Sequence, residues 1–307
     1  MPSPSASITG GTLRVALAAC CFSTISIFIV LGTQRGGAPL ATVLAGRYTL
    51  AALALTLVHR IERRRANAPG PTPPGRAIRA MLLGGTGQAL IAYLALSALR
   101  IIPAATVGFL FYTFPAWVAI VAAVRGTEPL DARRVLAVAL ALGGVLVLVG
   151  SPWSARLNVT GVVMVLASAV IYALYIPLLR ALHAGTSAAA VASYIATGSA
   201  IIYVVAGLIT GTLTLALSPA AWGAVIGLAL VSTTLGFVLF LRGLAVLGPV
   251  RAAIVCTVEP FATALLAALV LGQPVTWATG AGGAMVAGAV ALAQLPARGA
   301  PRPPQRR

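Results

Sequence analysis

One acidic residue, Glu259, lies inside a long apolar stretch of this 307-residue chain, while Glu62, Glu128 and Asp131 lie in polar breaks between such stretches. A carboxylate among apolar residues is costly, and it usually faces a cavity or a partner of opposite charge. Glu259 could bind a substrate ammonium group or a proton. It could also be a structural acceptor for a hydrogen bond from a neighbouring helix.

A basic residue, Arg47, lies about eight residues into another apolar stretch, which is too deep for its head group to reach water easily. Arg47 is the candidate charge partner. It could contact a substrate carboxylate, pair with Glu259, or bind carbonyl groups at the end of a helix.

Further candidates for substrate or coupling contacts are aromatic and small polar residues in the apolar stretches. Tyrosine and tryptophan can bury an apolar ring and still offer a hydrogen bond. Each could instead serve helix packing or the aromatic belt at a membrane surface. Besides Glu259, the candidates are Gln88, Tyr93, Tyr112, Phe114, Trp117, Tyr172, Tyr175 and Thr233.

Other kinds of chemistry have no pattern in the sequence. There is no HExxH motif, no pair of carboxylates at membrane depth, and no lysine for a phosphate-binding loop. The three cysteines all lie in apolar stretches and form no disulfide or metal pattern. We therefore predict no catalytic residue, no metal and no cofactor.

The elements that position these residues follow from the composition. The chain is 60% hydrophobic and 8% charged, whereas soluble domains carry roughly 25% charged residues. The apolar residues form long runs separated by short polar breaks, which indicates a polytopic membrane protein. The net charge of +17 comes from arginines that lie mostly in the breaks, so it indicates membrane topology and not nucleic-acid binding.

Ten apolar runs are long enough to cross a bilayer, which takes about 20 residues. Each run should be a helix, because backbone groups in lipid must bond within the segment. The predicted helices cover residues 12–32, 39–59, 78–98, 101–124, 133–150, 158–179, 188–210, 220–241, 249–271 and 276–295. Glu259 then lies about ten residues into helix 9, near the middle of the membrane.

The two halves of the chain repeat one pattern about 145 residues apart. Pro115 pairs with Pro260, Pro129 with Pro274, and Gly143 with Gly288. Since each half holds five helices, the second half enters the membrane from the opposite side, and the repeat is inverted. Such repeats suit alternating access, although they can also be purely architectural. The repeat mate of Glu259 is Phe114, so the repeated architecture does not require the charge.

Arginine placement predicts the orientation. The two terminal segments and the even-numbered breaks hold 16 arginines, and the odd-numbered breaks hold three, which places both termini in the cytoplasm. Residues 1–11 and the basic, Pro-rich residues 296–307 are predicted to be disordered tails. Between them lie the first five-helix unit, residues 12–150, and the second, residues 151–295.

Prolines interrupt three of the predicted helices. Proline lacks the amide hydrogen and clashes with the preceding turn, so we expect kinks at Pro115 and Pro260, at equivalent depths, and at Pro177. A kink frees carbonyl groups that could bind a substrate amine, or it could serve shape alone.

Several short motifs occur in the order and spacing of a known family. They are Ala45-Gly46-Arg47-Tyr48 in helix 2, Thr127-Glu128 before helix 5, Tyr172-Ala173-Leu174-Tyr175 in helix 6, Glu259-Pro260 in helix 9 and Gly272-Gln273 before helix 10. With them, residues 12 to 295 resemble the ten-helix EamA-type branch of the drug/metabolite transporter superfamily. The chain departs from the family pattern at Cys21-Phe22 and at Gln273, so the resemblance fixes neither substrate nor coupling.

The resemblance implies a multi-pass transporter of the bacterial inner (plasma) membrane. It implies export of small metabolites, with amino acids the commonest class, either coupled to protons or by facilitated diffusion. The implied partners are a small-molecule substrate and the lipid bilayer, with no nucleic acid, in a monomer or homodimer. Helix 2 is peripheral in this family, which favours a structural role for Arg47. The alternatives are an integral membrane enzyme and a non-transporting or lipid-handling membrane protein.

Overall fold

The computed structural model describes residues 4–64, 72–98, 101–102, 104–127, 131–149, 158–272 and 275–294. These residues form ten helical rods in the predicted order. In the first half, helix 1 is Pro4–Ile29 with a π-helical end Val30–Arg35, helix 2 is Leu40–Arg63, helix 3 is Pro74–Leu83, Gly84–Gln88 and Ala89–Ala98, helix 4 is Ala104–Phe111 and Phe114–Val124, and helix 5 is Ala132–Val149. In the second half, helix 6 is Val159–His183, helix 7 is Ala188–Ile209, helix 8 is Pro219–Gly227, Leu228–Leu235 and Gly236–Leu247, helix 9 is Pro249–Cys256 and Val258–Leu271, and helix 10 is Trp277–Gln294.

Eight of the ten rods are long and apolar enough to cross a membrane. The other two, helices 5 and 10, hold 18 residues each, or about 27 Å of helix, close to the roughly 30 Å of a hydrocarbon core. They occupy equivalent places at the ends of the two halves. The predicted all-helical membrane fold of ten helices is therefore confirmed.

The N-terminal end differs from the prediction of a disordered tail. Helix 1 begins at Pro4, so residues 4–11 are helical. Proline suits the first turn of a helix, where its missing amide hydrogen has no partner to lose. Further along helix 1, Gly11 packs closely against Val246 and Leu247 of helix 8. The predicted C-terminal tail, residues 296–307, lies outside the described residues.

Helix packing follows the repeat. Helix 1 packs against helices 8 and 9, and its mate, helix 6, packs against helices 3 and 4. Helix 2 packs against its own mate, helix 7, and helix 5 packs against helix 10. Each of these extensive contacts joins one half of the chain to the other, so the two halves share one core.

Two contacts between the halves, that of helix 3 with helix 7 and that of helix 5 with helix 10, depend on glycine. A methyl group on Gly84 of helix 3 would collide with the carbonyl group of Ile195 on helix 7, and one on Gly198 would collide with that of Met81. On helix 5, a methyl group on Gly144 would lie 2.8 Å from the carbonyl oxygen of Gly282. Small residues let membrane helices approach backbone to backbone, which fixes their relative rotation.

Helices 3, 4, 8 and 9 are irregular at equivalent points. Helices 3 and 8 each contain a π-helical segment, and helices 4 and 9 break at Tyr112-Thr113 and at Thr257. These breaks lie just before Pro115 and Pro260, as expected from the missing amide hydrogens. Helix 6, by contrast, continues through Pro177 without a break.

Threonine hydroxyls satisfy carbonyl groups at both breaks. The Thr113 hydroxyl donates to the carbonyl oxygen of Leu110, and the Thr257 hydroxyl donates to that of Ile254, each at 2.6 Å. These two carbonyl oxygens also accept from the backbone N–H of the same threonines, at 3.3 and 3.1 Å, so each hydroxyl adds a second hydrogen bond at its break. The two threonines therefore stabilise the interruptions on which the interior of the protein is built.

Candidate substrate cavity

The interrupted helices meet around a cavity of about 130 Å³ between the two halves. A volume of this size holds a small metabolite or on the order of ten waters. Two charged residues, Arg47 and Glu259, line it from different halves of the chain. The remaining lining residues are Phe22, Ile25, Tyr48, Gln88, Ile91, Phe111, Phe114, Tyr172, Ile195, Ala196, Ser232, Thr233, Phe237 and Cys256.

Glu259 lies in the first turn of the second segment of helix 9, directly after the break at Thr257. The amino end of a helix carries partial positive charge and favours an anion. The Tyr112 hydroxyl, at the break in helix 4, lies within hydrogen-bonding reach of the Glu259 carboxylate. Both breaks thus contribute directly to the position of this carboxylate.

Arg47 faces the cavity from helix 2 and is only 7% exposed. Its Nε donates to the Thr233 hydroxyl of helix 8 at 2.8 Å, and its guanidinium carbon lies 5.0 Å from the centroid of the Tyr48 ring. Helix 2 is held in this rotation by helix 7, because the rings of Tyr48 and Tyr203 stack at 5.6 Å. The rotation of helix 2 therefore depends on this tertiary contact.

One wall of the cavity is aromatic. The ring centroid of Tyr172 lies 4.8 Å from that of Phe114 and 5.6 Å from that of Phe111. Rings at these separations and tilts attract one another, so the three side chains form a continuous apolar surface. This surface suits the apolar part of a ligand.

Another part of the lining is polar and is shaped by the π-helical segment of helix 8. The Thr233 hydroxyl donates to the carbonyl oxygen of Leu228, five residues earlier, at 2.8 Å, as the π-helical geometry allows. The Ser232 hydroxyl lies 2.7 Å from that of Thr24 on helix 1. These bonds fix the two helix 8 hydroxyls at the cavity surface.

Six of the predicted residues line the cavity, and the other four do not. The six are Arg47, Gln88, Phe114, Tyr172, Thr233 and Glu259. Tyr112 stands behind the surface against Glu259, and Tyr175 is buried behind Tyr172 with ring centroids 6.2 Å apart. Trp117 donates its indole hydrogen to the Thr113 hydroxyl at 3.2 Å. Tyr93 is 60% exposed on the outer surface.

Several lining residues were not predicted, among them Phe22, Phe237 and Cys256. The repeat contains a signal for one of them. Cys256 is separated from Phe111 by the same 145 residues that separate Glu259 from Phe114 and Thr233 from Gln88, and all six residues line the cavity. The mate of a candidate residue is therefore itself a candidate.

A second space, of about 250 Å³, lies between helices 2, 7 and 8. It is larger than the first but is lined almost wholly by apolar atoms, with Leu50, Val204 and Trp222 among its walls. It contains no charged side chain and lies away from Glu259, so the smaller cavity is the candidate site. Within the described residues, no group of three or more metal-ligating side chains occurs.

The family match covers both halves of the chain. The model of the EamA-like transporter family matches residues 9–150 and again residues 159–294. The chain belongs to the EamA-like transporter family. It is accordingly a multi-pass membrane transporter of the bacterial inner membrane, and the predicted resemblance is confirmed.

Two comparisons with individual proteins agree with this assignment. The chain is 29% identical over 281 residues to the "Uncharacterized transporter YcbK" of Bacillus subtilis (strain 168), and the match covers 86% of each of the two chains. It also superposes on a solved structure described as "Crystal structure of protein" with a TM-score of 0.75 and 19% identity, over 93% of this chain and 96% of that chain. At that identity the second likeness shows the fold alone.

Proposed function

We propose that this EamA-family transporter exports small metabolites, amino acids foremost, from the cytoplasm by alternating access. The observation that carries the proposal is the cavity between the two repeats, where the Glu259 carboxylate faces an aromatic wall. An amino acid has an ammonium group for the carboxylate and, in most cases, an apolar side chain for the wall. Transport moves this ligand without changing it chemically.

Contacts at both ends of the bundle support alternating access. At one end, Arg242 of helix 8 pairs with Glu62 of helix 2 at 2.6 Å. At the other end, the Thr42 hydroxyl of helix 2 donates to the carbonyl oxygen of Thr212, which follows helix 7, at 2.7 Å. Each contact joins the two repeats. In an inverted repeat the two halves can exchange conformations, so that one end opens while the other stays closed.

Glu259 has two possible roles in such a cycle. It could bind the substrate ammonium group throughout, which gives facilitated diffusion down the metabolite gradient. It could instead exchange substrate for a proton, which couples export to the proton gradient. Both roles use the charged form of Glu259 to bind the ammonium group, and the second role also uses its protonated form.

The proposal is tested by counterflow in liposomes that contain the purified full-length protein. A panel of labelled amino acids is measured with and without an imposed pH gradient, in wild type and in Glu259→Gln, with protein-free liposomes as a control. We expect saturable flux of at least one amino acid in wild type and a loss of about tenfold or more in Glu259→Gln. Absence of flux for every amino acid, from correctly inserted protein, would contradict the proposed substrate class.

The pH gradient separates the two roles of Glu259. With proton coupling, a gradient drives accumulation in wild type, and the residual exchange in Glu259→Gln does not respond to the gradient. With facilitated diffusion, the gradient drives no accumulation in either protein.

A further inference from the structure

We propose that Arg47 is the anion-binding residue of the cavity and takes the carboxylate of the transported molecule, so that the site selects zwitterions. This inference rests on the proposed function, which it extends from the ammonium end of the ligand to its other end. The structural observation is that Arg47 lines the cavity and uses only its Nε donor in a hydrogen bond within the described residues.

Arginine carries five N–H donors in a planar fork. In Arg47 the Nε donor is used by the Thr233 hydroxyl. Among the residues that the structure describes, no group accepts a hydrogen bond from its two terminal amino groups. A buried cationic donor without an acceptor is costly. These four N–H groups therefore donate to a ligand or to water in the cavity.

The hydrogen bond from Nε orients the guanidinium group of Arg47. Thr233 holds one edge of the guanidinium, and the Tyr48 ring supports its face at 5.0 Å. The Thr233 hydroxyl passes its own hydrogen to the Leu228 carbonyl oxygen, so it acts toward Arg47 as an acceptor. The free edge of the guanidinium then presents two parallel N–H groups, which is the geometry that binds a carboxylate with two hydrogen bonds.

Arg47 and Glu259 do not neutralise each other directly. Between these two described side chains there is no ion pair of 4 Å or less, although both line the same cavity. The site therefore offers one fixed positive and one fixed negative group to a single ligand. A zwitterion satisfies both groups, whereas a simple amine or a simple acid leaves one of them without a partner.

The test compares ligands that differ only in their charged ends. Leucine, leucinamide and N-acetylleucine are added to purified full-length protein in detergent, and binding is measured from the thermal shift as a function of ligand concentration. Leucinamide keeps the ammonium group and lacks the carboxylate, and N-acetylleucine has the reverse pattern. For wild type we expect leucine to bind about 10- to 100-fold more tightly than either derivative.

The same panel is measured in Arg47→Gln and Arg47→Lys. In Arg47→Gln, we expect the affinity for leucine to fall to that for leucinamide, while the affinity for leucinamide stays unchanged. Arg47→Lys keeps the charge but loses the two parallel donors, so it should restore part of the preference. Arg180→Gln removes an exposed arginine from helix 6 and serves as the matched control.

A second variant tests the same assignment without removing the charge. Thr233→Val removes the acceptor that directs the guanidinium, and we expect it to reduce the preference for leucine over leucinamide severalfold. Thr56→Val is the matched control on helix 2: the Thr56 hydroxyl donates to the Ala52 carbonyl oxygen of the same helix, and its loss should leave the preference intact. If Thr233→Val folds like wild type and keeps the full preference for leucine over leucinamide, then Thr233 does not orient the Arg47 guanidinium.

The outcomes distinguish this inference from the proposed function. If wild type binds and transports leucinamide as well as leucine, the role of Arg47 is refuted and transport stands. If no amino acid is transported, but N-acetylleucine stabilises wild type and not Arg47→Gln, the proposed substrate class is refuted and the anion site stands.

Discussion

At the scale of single residues, the two halves of this transporter differ in charge at one equivalent position that faces the cavity. Phe114 and Glu259 occupy equivalent positions beside equivalent prolines, and both line the cavity. One half supplies an apolar ring and the other supplies a carboxylate. The repeat gives the protein its shape, and in the proposed function the unequal pair gives the ligand its orientation.

The phenol of Tyr112 should matter for the function of Glu259. Tyr112→Phe removes the hydroxyl near the carboxylate but keeps the ring, so we expect transport to fall severalfold, since a hydrogen bond to a charged group contributes about 1.5–3 kcal/mol. Initial rates of uptake into liposomes measure the effect.

Tyr175→Phe is the matched control for this substitution. The Tyr175 hydroxyl is buried, and within the described residues it has no hydrogen-bond partner. Its removal should leave transport unchanged and the melting temperature equal or higher, because a buried polar group without a partner costs free energy. A larger loss of transport in Tyr175→Phe than in Tyr112→Phe would contradict the assignment.

At the scale of helices, the contact between helices 3 and 7 is set by glycine. Gly84→Ala places a methyl group against the Ile195 carbonyl group, so the helices must separate. Crowding of this kind costs typically 1–3 kcal/mol, and we expect a clear drop in the melting temperature of the purified protein.

Gly223→Ala is the control for the glycine substitution. Gly223 lies in helix 8 with nothing within 4 Å of an added methyl group. Alanine in a helix interior is favoured over glycine by up to about 1 kcal/mol, so this variant should melt at the same temperature or slightly higher. Equal losses in both variants would show that close approach is not what Gly84 provides.

The helices also show which parts of the site could be predicted from sequence. The missing amide hydrogen predicted the breaks before Pro115 and Pro260, but the same reasoning predicted a kink at Pro177, where helix 6 continues without a break. The π-helical segments of helices 3 and 8 were not predictable, because segments such as Leu228–Leu235 have no proline and no distinctive composition. The repeat could have identified Cys256 through its mate Phe111.

Arg47 shows the limit of that reasoning. The sequence predicted how deep Arg47 lies in the membrane, but it did not predict that its side chain faces the cavity. The stacking of Tyr48 on Tyr203 and the hydrogen bond from the Tyr203 hydroxyl to the Ala89 carbonyl oxygen, at 2.9 Å, set the rotation of helix 2. These contacts come from helices far apart in the chain, and no local pattern encodes them.

At the scale of the whole molecule, the ion pair between Glu62 and Arg242 joins the two repeats at the end that the arginine distribution predicts to be cytoplasmic. Arg242 is 48% exposed and Glu62 is 18% exposed. Exposed pairs contribute at most about 1 kcal/mol, so we expect Glu62→Gln to change the melting temperature little. Its main effect should be on the balance between the two access states.

Cysteine labelling can measure that balance. Cys256 lines the cavity, and in a background with Cys20→Ser and Cys21→Ser it is the single cysteine. Glu62→Gln should raise its labelling rate by a membrane-impermeant thiol reagent applied from the cytoplasmic end. Arg180→Gln, an exposed arginine at the end of helix 6, should not. Identical rates in all three proteins would argue against a closing role for the ion pair.

The packing between halves also has a consequence for biosynthesis. Helix 1 finds its main neighbours in helices 8 and 9, and helix 5 finds its main neighbour in helix 10, so the first half is inserted before most of its partners have been translated. During that interval Arg47 has neither Thr233 nor the cavity around it. We therefore expect the helices of the first half to pack fully only after the second half has been translated and inserted.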